Sequence, residues 1–180
     1  QYEYSCSLNA LFGSAYFSVG ELEKAVYRYK KAFELSLNTD YNFWKVKYAN
    51  LTGQILKDLR RHKESIEFLL KLLPLAKEYG INTYTYKTLI SLGYRYMYLG
   101  DFQNSIIYFN KAIDYSKNES ILRRANAYTS IGEAYYKFGK ETEAKKAYRQ
   151  AKEMFNSDDL SLKSFVDSVL FYESMITIDS

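Results

Sequence analysis

Few side chains in this 180-residue sequence could carry out catalysis or hold a metal. His62 is the only histidine, and it lies in a basic turn beside Arg60 and Arg61, without the partners that a metal site or a nucleophile would need. Cys6 is the only cysteine, which excludes an internal disulfide and a cysteine-built metal site. Its place near the start of a predicted helix favours a slightly lowered thiol pKa, but no base accompanies it. We therefore interpret His62 as a surface turn residue and predict no enzyme activity, metal or cofactor.

The elements that position these residues are predicted to be helices. Hydrophobic residues make up 47% of the chain and charged residues 26%, with 8 glycines and 1 proline, which is typical of a folded, mostly helical domain. A net charge of +4 does not by itself indicate nucleic acid binding. The 20 tyrosines fall mostly at positions explained by packing, so we predict no direct nucleic acid binding. No apolar run is long enough to span a bilayer.

A glycine recurs at a nearly fixed interval along the chain. It stands at Gly13, Gly53, Gly93 and Gly132, which are 40, 40 and 39 residues apart. Twelve residues after each glycine stands a small residue: Ala25, Ser65, Ser105 and Ala144. Sixteen residues after it stands a bulky one: Tyr29, Leu69, Phe109 and Tyr148. This spacing predicts repeated helical hairpins whose two helices cross closely where glycine meets alanine or serine.

The repeats resemble the tetratricopeptide repeat. The third copy carries the family pattern in this order: Leu92-Gly93, Tyr96, Gly100, Ser105, Phe109 and Ala112. The resemblance covers about residues 6–155 and is closest to long-repeat bacterial members. It implies an all-α, right-handed superhelical solenoid of antiparallel helix pairs. The predicted repeats, all in one domain, are 1–40, 41–81, 82–118 and 119–156, followed by a C-terminal capping helix at 157–180.

The second repeat departs from the pattern. Leu56 replaces its aromatic residue, Arg60 its turn glycine and Leu72 its last alanine. Pro74 stands where the second helix should still be running, which predicts a kink or an early break. Because the repeat is longer than the family's usual 34 residues, each helix is predicted to be about one turn longer.

The resemblance also implies a concave wall lined by the first helix of each pair. Its inward positions are predicted to include Lys47, Asn50, Gln54, Lys57, Lys87, Tyr94, Tyr98, Asn126, Glu133, Tyr136 and Lys137. Amides can pair with an extended peptide backbone, lysines with carboxylates, and tyrosines supply contact area. The alternative is that these are ordinary solvated helix positions.

We therefore predict a non-enzymatic module that binds a protein or peptide on this wall. The resemblance suggests the sensing or scaffolding part of a larger bacterial signalling or transcription-regulatory protein. The first alternative is a plain scaffold for complex assembly or self-association, including a homodimer through the end helices. The second is an RNA-binding or enzyme-associated segment.

The compartment and the extent of the protein are also matters of expectation. A single cysteine fits a reducing compartment, which favours the cytoplasm. A signal peptide or membrane helix outside this sequence would instead place the protein in the cell envelope. The chain begins at Gln1 rather than Met, which suggests a fragment or a processed segment.

Overall fold

The computed structural model describes residues 1–117 and 120–154, together with Phe171 and Ser174. The regular structure of the two described ranges is α-helix throughout. The helices are α1 Tyr2–Ser18, α2 Leu22–Ser36, α3 Asn42–Asp58, α4 His62–Glu78, α5 Asn82–Tyr98, α6 Phe102–Ser116, α7 Ile121–Lys137 and α8 Glu141–Glu153. None of these helices is both long and apolar enough to cross a membrane. The capping helix predicted at 157–180 falls outside the described residues, apart from Phe171 and Ser174.

The chain divides into two compact units, residues 1–99 and 100–180. In the first unit each helix packs against the next, from α1 to α5, and α3 also contacts α5. In the second unit α6 packs against α7 and α7 against α8. Tight turns join α1 to α2, α3 to α4, α4 to α5 and α7 to α8, so the helices of these pairs run back along one another.

The turn after α1 shows how a helix ends and reverses. Gly20 has φ +80°, a left-handed conformation that costs glycine little because it has no Cβ. The N–H of Glu21 then donates to the carbonyl of Tyr16 at 2.9 Å. After α7 the same arrangement recurs, with the N–H of Lys140 donating to the carbonyl of Tyr135 at 2.9 Å. These bonds satisfy carbonyls that a helix end would leave unpaired.

The repeat glycines let the two helices of a pair approach closely. A Cβ added at the glycine would lie nearest to a bulky residue of the partner helix, and these pairs are Gly13 with Tyr29, Gly53 with Leu69, and Gly132 with Tyr148. The sequence assigned this contact to the small residue twelve positions on, whereas the closest atoms belong to the residue sixteen positions on. The small residue still contributes, since Ser65 Oγ donates to the Gly53 carbonyl at 2.8 Å.

Pro74 does not break α4, which continues to Glu78. The expected early end of this helix is therefore wrong. Leu72 and Ala76, on either side of the proline, are both fully buried, while Pro74 itself is exposed. Side-chain burial on one face of α4 holds the helix together, and the ring that lacks an N–H stands on the solvent face.

Candidate functional site

Seven of the predicted wall residues lie on α3 and α5 of the first unit. Five of them expose their side chains: Lys47, Gln54, Lys57, Lys87 and Tyr98. Tyr94 is half-buried. Asn50 is only 6% exposed, so its amide is largely withdrawn from a partner. The reason is its place on α3, one helical turn from the buried Val46 and Gly53, on the stripe that packs against neighbouring helices.

The other four predicted residues lie on α7 of the second unit. Lys137 is exposed, whereas Asn126, Glu133 and Tyr136 are half-buried. They remain a separate predicted group, the α7 group, on a helix that packs against α6 and α8.

Three of the predicted residues of the first unit come together in one cavity of about 590 Å³. We call it the α3–α5 cavity, and it is lined by Lys57, Asp58, Arg60, His62, Tyr94, Arg95 and Tyr98. It forms where the end of α3, the turn after it and the start of α4 meet the last turns of α5. Its volume is in the range that holds small ligands or a few side chains of a bound peptide. Cationic and aromatic side chains dominate its lining.

Arg95 places a charge inside the protein. The residue is only 5% exposed, and its Nε and Nη1 atoms are buried without a hydrogen-bond partner. Burial lowers the pKa of the guanidinium from its ordinary value. The group still stays protonated near neutral pH, because the guanidinium of arginine is the most basic side-chain group in proteins. The guanidinium carbon of Arg95 lies 5.3 Å from the centre of the Tyr98 ring. The nearby Asp58 carboxylate forms an ion pair with Lys57, with an N···O distance of 3.0 Å.

His62 and Tyr98 form an aromatic part of the cavity lining. Their rings stack with centroids 5.4 Å apart and planes 9° from parallel. Burial lowers the pKa of His62, and the charges of Arg95 and Arg60 lower it further. The imidazole is therefore mainly neutral at pH 7, and its buried Nδ1 has no hydrogen-bond partner. The interpretation of His62 as a plain surface residue needs correction, because the helix that it begins places it in this cavity.

Arg60 stands in a backbone conformation that suits glycine. Its φ of +57° is the only positive value of a non-glycine residue in the described part of the chain. The corresponding turn residues of the other repeats are glycines with positive φ, namely Gly20, Gly100 and Gly139. A left-handed non-glycine residue costs about 1 kcal/mol or more. The second repeat thus places a cation on the cavity wall at the expense of backbone strain.

The sequence reading missed Arg95, although a signal for it was present. Two residues after each repeat glycine stands Ala15, Ile55, Arg95 or Ala134. Three repeats carry an apolar side chain there, and Ile55 and Ala134 are buried at 2% and 0% exposure. A charge at a position where other repeats bury apolar groups marks a buried charge. Aligning every position of the repeats, rather than only the packing positions, would have identified it.

Cys6 offers no reactive thiol. It is fully buried, and its Sγ donates to the carbonyl of Ala32 at 3.2 Å. Burial raises the pKa of the thiol, opposite to the lowered value expected from the helix start. Across the described residues, no group of three or more histidine, cysteine, aspartate or glutamate side chains is arranged to hold a metal ion.

Comparison with known proteins adds a family match. The family model for the tetratricopeptide repeat matches residues 86–119 and 125–158. These segments overlap the predicted third and fourth repeats. No curated protein has a sequence that matches this chain.

Solved structures of low sequence identity share the fold. The apo form of RapI is 16% identical, with a TM-score of 0.88 over 99% of this chain and 50% of RapI. A signal transduction ATPase with numerous domains and a tetratricopeptide repeat sensor, from Pyrococcus horikoshii, is 19% identical, with a TM-score of 0.83 over 99% of this chain and 28% of that protein. A Rap protein complexed with Competence and Sporulation Factor is 14% identical, with a TM-score of 0.71 over 96% of this chain and 48% of that protein.

This chain spans half or less of the length of these three proteins. At such low identity the likeness establishes the fold, and function has to be argued from the site. The prediction of an all-α, helical solenoid of the tetratricopeptide type is confirmed.

Proposed function

We propose that this chain, a tetratricopeptide-repeat protein, binds an extended peptide or a segment of a partner protein on the face that carries the α3–α5 cavity. The observation that carries the proposal is the meeting of Lys57, Tyr94 and Tyr98 in one cavity of about 590 Å³. Tyrosine and arginine are the residues that most often dominate binding energy at protein interfaces. Peptide binding needs such anchors together with exposed polar groups nearby, and Gln54 and Lys87 are exposed on the same two helices.

The wider role follows by analogy with proteins of the same fold. One of these is a Rap protein complexed with Competence and Sporulation Factor, and another carries its tetratricopeptide repeats as the sensor of a signal transduction ATPase. We infer that this chain is the sensing or scaffolding part of a larger bacterial signalling or transcription-regulatory protein. Binding alone performs this role, so no catalytic step is assigned to the chain.

The test begins with a random peptide library displayed on phage and selected on the wild-type chain. A synthetic, fluorescent copy of an enriched peptide is then titrated against wild type and Tyr98→Ala, with fluorescence anisotropy as the readout. We expect Tyr98→Ala to weaken binding about tenfold, or about 1.4 kcal/mol. The matched control is Tyr27→Ala, which removes an equally exposed tyrosine from α2, 62% exposed against 54% for Tyr98.

Two results would contradict the proposal. One is that no peptide is enriched. The other is that Tyr98→Ala and Tyr27→Ala bind the enriched peptide alike, while circular dichroism shows both variants to be folded. Adding Lys137→Ala to the same titration tests whether the α7 group extends the binding surface, in which case affinity should fall by a smaller factor than for Tyr98→Ala.

A second candidate function is self-association through α1. This helix exposes apolar side chains at helical spacing, with Tyr4 at 75%, Leu8 at 37% and Leu11 at 67% exposure. Apolar patches of this kind often mark interaction sites. If a second copy of the chain covers this face, light scattering after size exclusion should show a dimer for wild type and a monomer for Leu11→Glu. A wild-type monomer at 100 μM, on the order of a weak dimer's dissociation constant, would reject this candidate.

A further inference from the structure

The α3–α5 cavity holds more positive than negative charge. Lys57, Arg60 and Arg95 contribute three cations, and Asp58 contributes one carboxylate. Lys57 is already paired with Asp58 at 3.0 Å. Among the described residues neither Arg60 nor Arg95 forms an ion pair, although the negative charge of Asp58 also acts on the buried Arg95.

A buried guanidinium nitrogen without an acceptor is unfavourable, because it has lost its hydrogen bonds to water and has gained no hydrogen bond in return. In Arg95 this applies to two of its nitrogens, Nε and Nη1. Arginine presents its N–H groups in two planar forks, Nε with Nη2 and Nη1 with Nη2, and each fork matches the two oxygens of a carboxylate. A carboxylate bound at one of these forks would supply an acceptor to Nε or to Nη1.

We propose that the α3–α5 cavity binds a carboxylate of the partner peptide, with Arg95 as its anchor. This inference rests on the proposed function, since it names the chemical group that the peptide must present. The exposed Arg60 lies at the cavity wall, where its charge attracts the same anion. The stacked rings of His62 and Tyr98 offer an apolar surface to the hydrocarbon part of the residue that bears the carboxylate.

The lining favours a carboxylate over a phosphate. The net positive charge of the lining attracts both kinds of anion, so the shape and polarity of the wall decide between them. Aromatic side chains also form much of the wall, which suits an anion attached to an apolar body rather than a small inorganic ion.

The experiment measures the binding of small carboxylates to the whole chain by isothermal titration calorimetry. The probes are N-acetyl-tyrosine, which carries a C-terminal carboxylate, N-acetyl-glutamate amide, which carries a side-chain carboxylate, and N-acetyl-tyrosine amide, which carries none. Inorganic phosphate is the fourth probe. We expect wild type to bind at least one of the two carboxylates with a millimolar dissociation constant and the amide at least tenfold more weakly. The preferred carboxylate tells whether the peptide terminus or an acidic side chain enters the cavity.

The variant is Arg95→Met, which keeps an unbranched apolar side chain in place of the arginine stem and removes the guanidinium with its charge. It should lose at least tenfold in carboxylate affinity, whereas Lys31→Met, which removes an exposed cation from α2, should bind like wild type. Arg95→Met should also fold, because methionine suits a buried site better than an unpaired cation. If it does not fold, Arg95→Lys, which keeps the charge but loses the fork, replaces it and should also weaken binding.

Several outcomes would overturn the inference. These are equal binding of the acid and the amide, unchanged carboxylate binding by folded Arg95→Met, phosphate binding without carboxylate binding, and no carboxylate binding by wild type at about 20 mM, well above the millimolar range.

The carboxylate proposal and the peptide proposal can fail separately. If the peptide enriched on wild type is lost with Tyr98→Ala but kept with Arg95→Met, peptide binding stands and the carboxylate anchor falls. If N-acetyl-tyrosine binds through Arg95 but no peptide is enriched, the cavity takes a small carboxylate and the peptide proposal falls.

Discussion

The crossing of α7 with α8 and the α3–α5 cavity carry different residues at the same positions of the repeat. Two residues after the repeat glycine, the α7–α8 crossing has Ala134, which is fully buried, and the cavity has Arg95. At the turn position the first has Gly139 with φ +71°, and the second has Arg60 with φ +57°. In one region the residues are those that close packing and a relaxed turn require. In the other, two arginines replace them at a cost in stability.

This difference teaches where to look for function in a repeat protein. Residues that merely build the fold are under the same physical demands in every repeat, so they stay small, apolar or glycine at fixed positions. The second repeat accepts a strained turn at Arg60 and the third accepts a buried charge at Arg95, and these two features must serve something other than stability.

The largest effect on stability is expected from placing an arginine in the α7–α8 crossing, at the repeat position that Arg95 holds in the α3–α5 cavity. Ala134→Arg would force a guanidinium into a site where alanine has 0% exposure. Overpacking and an unpaired buried charge together should cost about 4 kcal/mol or more. Urea unfolding followed by circular dichroism should show this loss or a chain that no longer folds. Ala15→Arg is the control, because Ala15 holds the same repeat position but is exposed. Equal stability of the two variants would mean that Arg95 needs no special cavity.

The next effect compares the closeness of two helix crossings. A methyl group at Gly132 would overlap the ring of Tyr148, whereas at Gly53 it would lie 3.1 Å from Cδ2 of Leu69. A ring held in the core moves less readily than the end of a leucine, and Tyr148 is only 1% exposed. We expect Gly132→Ala to lose about 3 kcal/mol of unfolding free energy and Gly53→Ala about 1 kcal/mol. Denaturant midpoints in the reverse order would show that the α7–α8 crossing is the more adaptable one.

A smaller effect is expected from exchanging the turn residues. Arg60→Gly should relieve the left-handed backbone and stabilise the chain by about 1 kcal/mol, whereas Gly139→Ala should destabilise it by about 1 kcal/mol. Thermal unfolding measures both. Arg60→Gly should also weaken the binding of the carboxylate probe, since it removes a cation from the cavity wall. A less stable Arg60→Gly variant would mean that the arginine side chain contributes more to the fold than its backbone costs.

The helices and their pairing could be predicted because they depend on local rules. The spacing of glycines and apolar residues predicts which face of each helix packs against its neighbours. The turn residue after the first helix of each pair predicts where that helix ends. The expected break at Pro74 failed because a local rule was overridden by the burial of Leu72 and Ala76 on the opposite face. Packing against neighbouring helices is not visible in the residue order near a proline.

The candidate site could be predicted only in part. Lys57, Tyr94 and Tyr98 were placed on the correct helices by the family register, and they do line one cavity. Asn50 was expected on the exposed wall but faces the packed side of α3, since a shift of one position around a helix turns a side chain by about 100°. His62 was missed because its role depends on side chains from α3, α4 and α5 that meet only in the folded chain, whereas the burial of Arg95 could have been predicted from its position in the repeat.

The smallest expected effect concerns the pH dependence of the region around His62. Its pKa is lowered in the folded chain, first by burial and then by the charges of Arg95 and Arg60. The unfolded chain therefore takes up a proton at higher pH than the folded one. It follows that His62 reduces the free energy of unfolding as the pH falls below about 6.5, the ordinary pKa of histidine, and leaves it unchanged above. The α7–α8 crossing has no histidine and should contribute no such step.

The measurement is the melting temperature of wild type and His62→Gln between pH 7.5 and pH 5. The difference between the two chains isolates His62, because the other charges that line the cavity, on Lys57, Asp58, Arg60 and Arg95, are common to both. The melting temperature of wild type should fall relative to that of His62→Gln as the pH falls through 6.5. A rise of the wild-type value relative to His62→Gln would mean that an anion or Asp58 stabilises the imidazolium. With a saturating carboxylate probe present, this fall in melting temperature should be smaller. The bound anion offsets the charges of Arg95 and Arg60, which oppose protonation of His62 when no anion is bound.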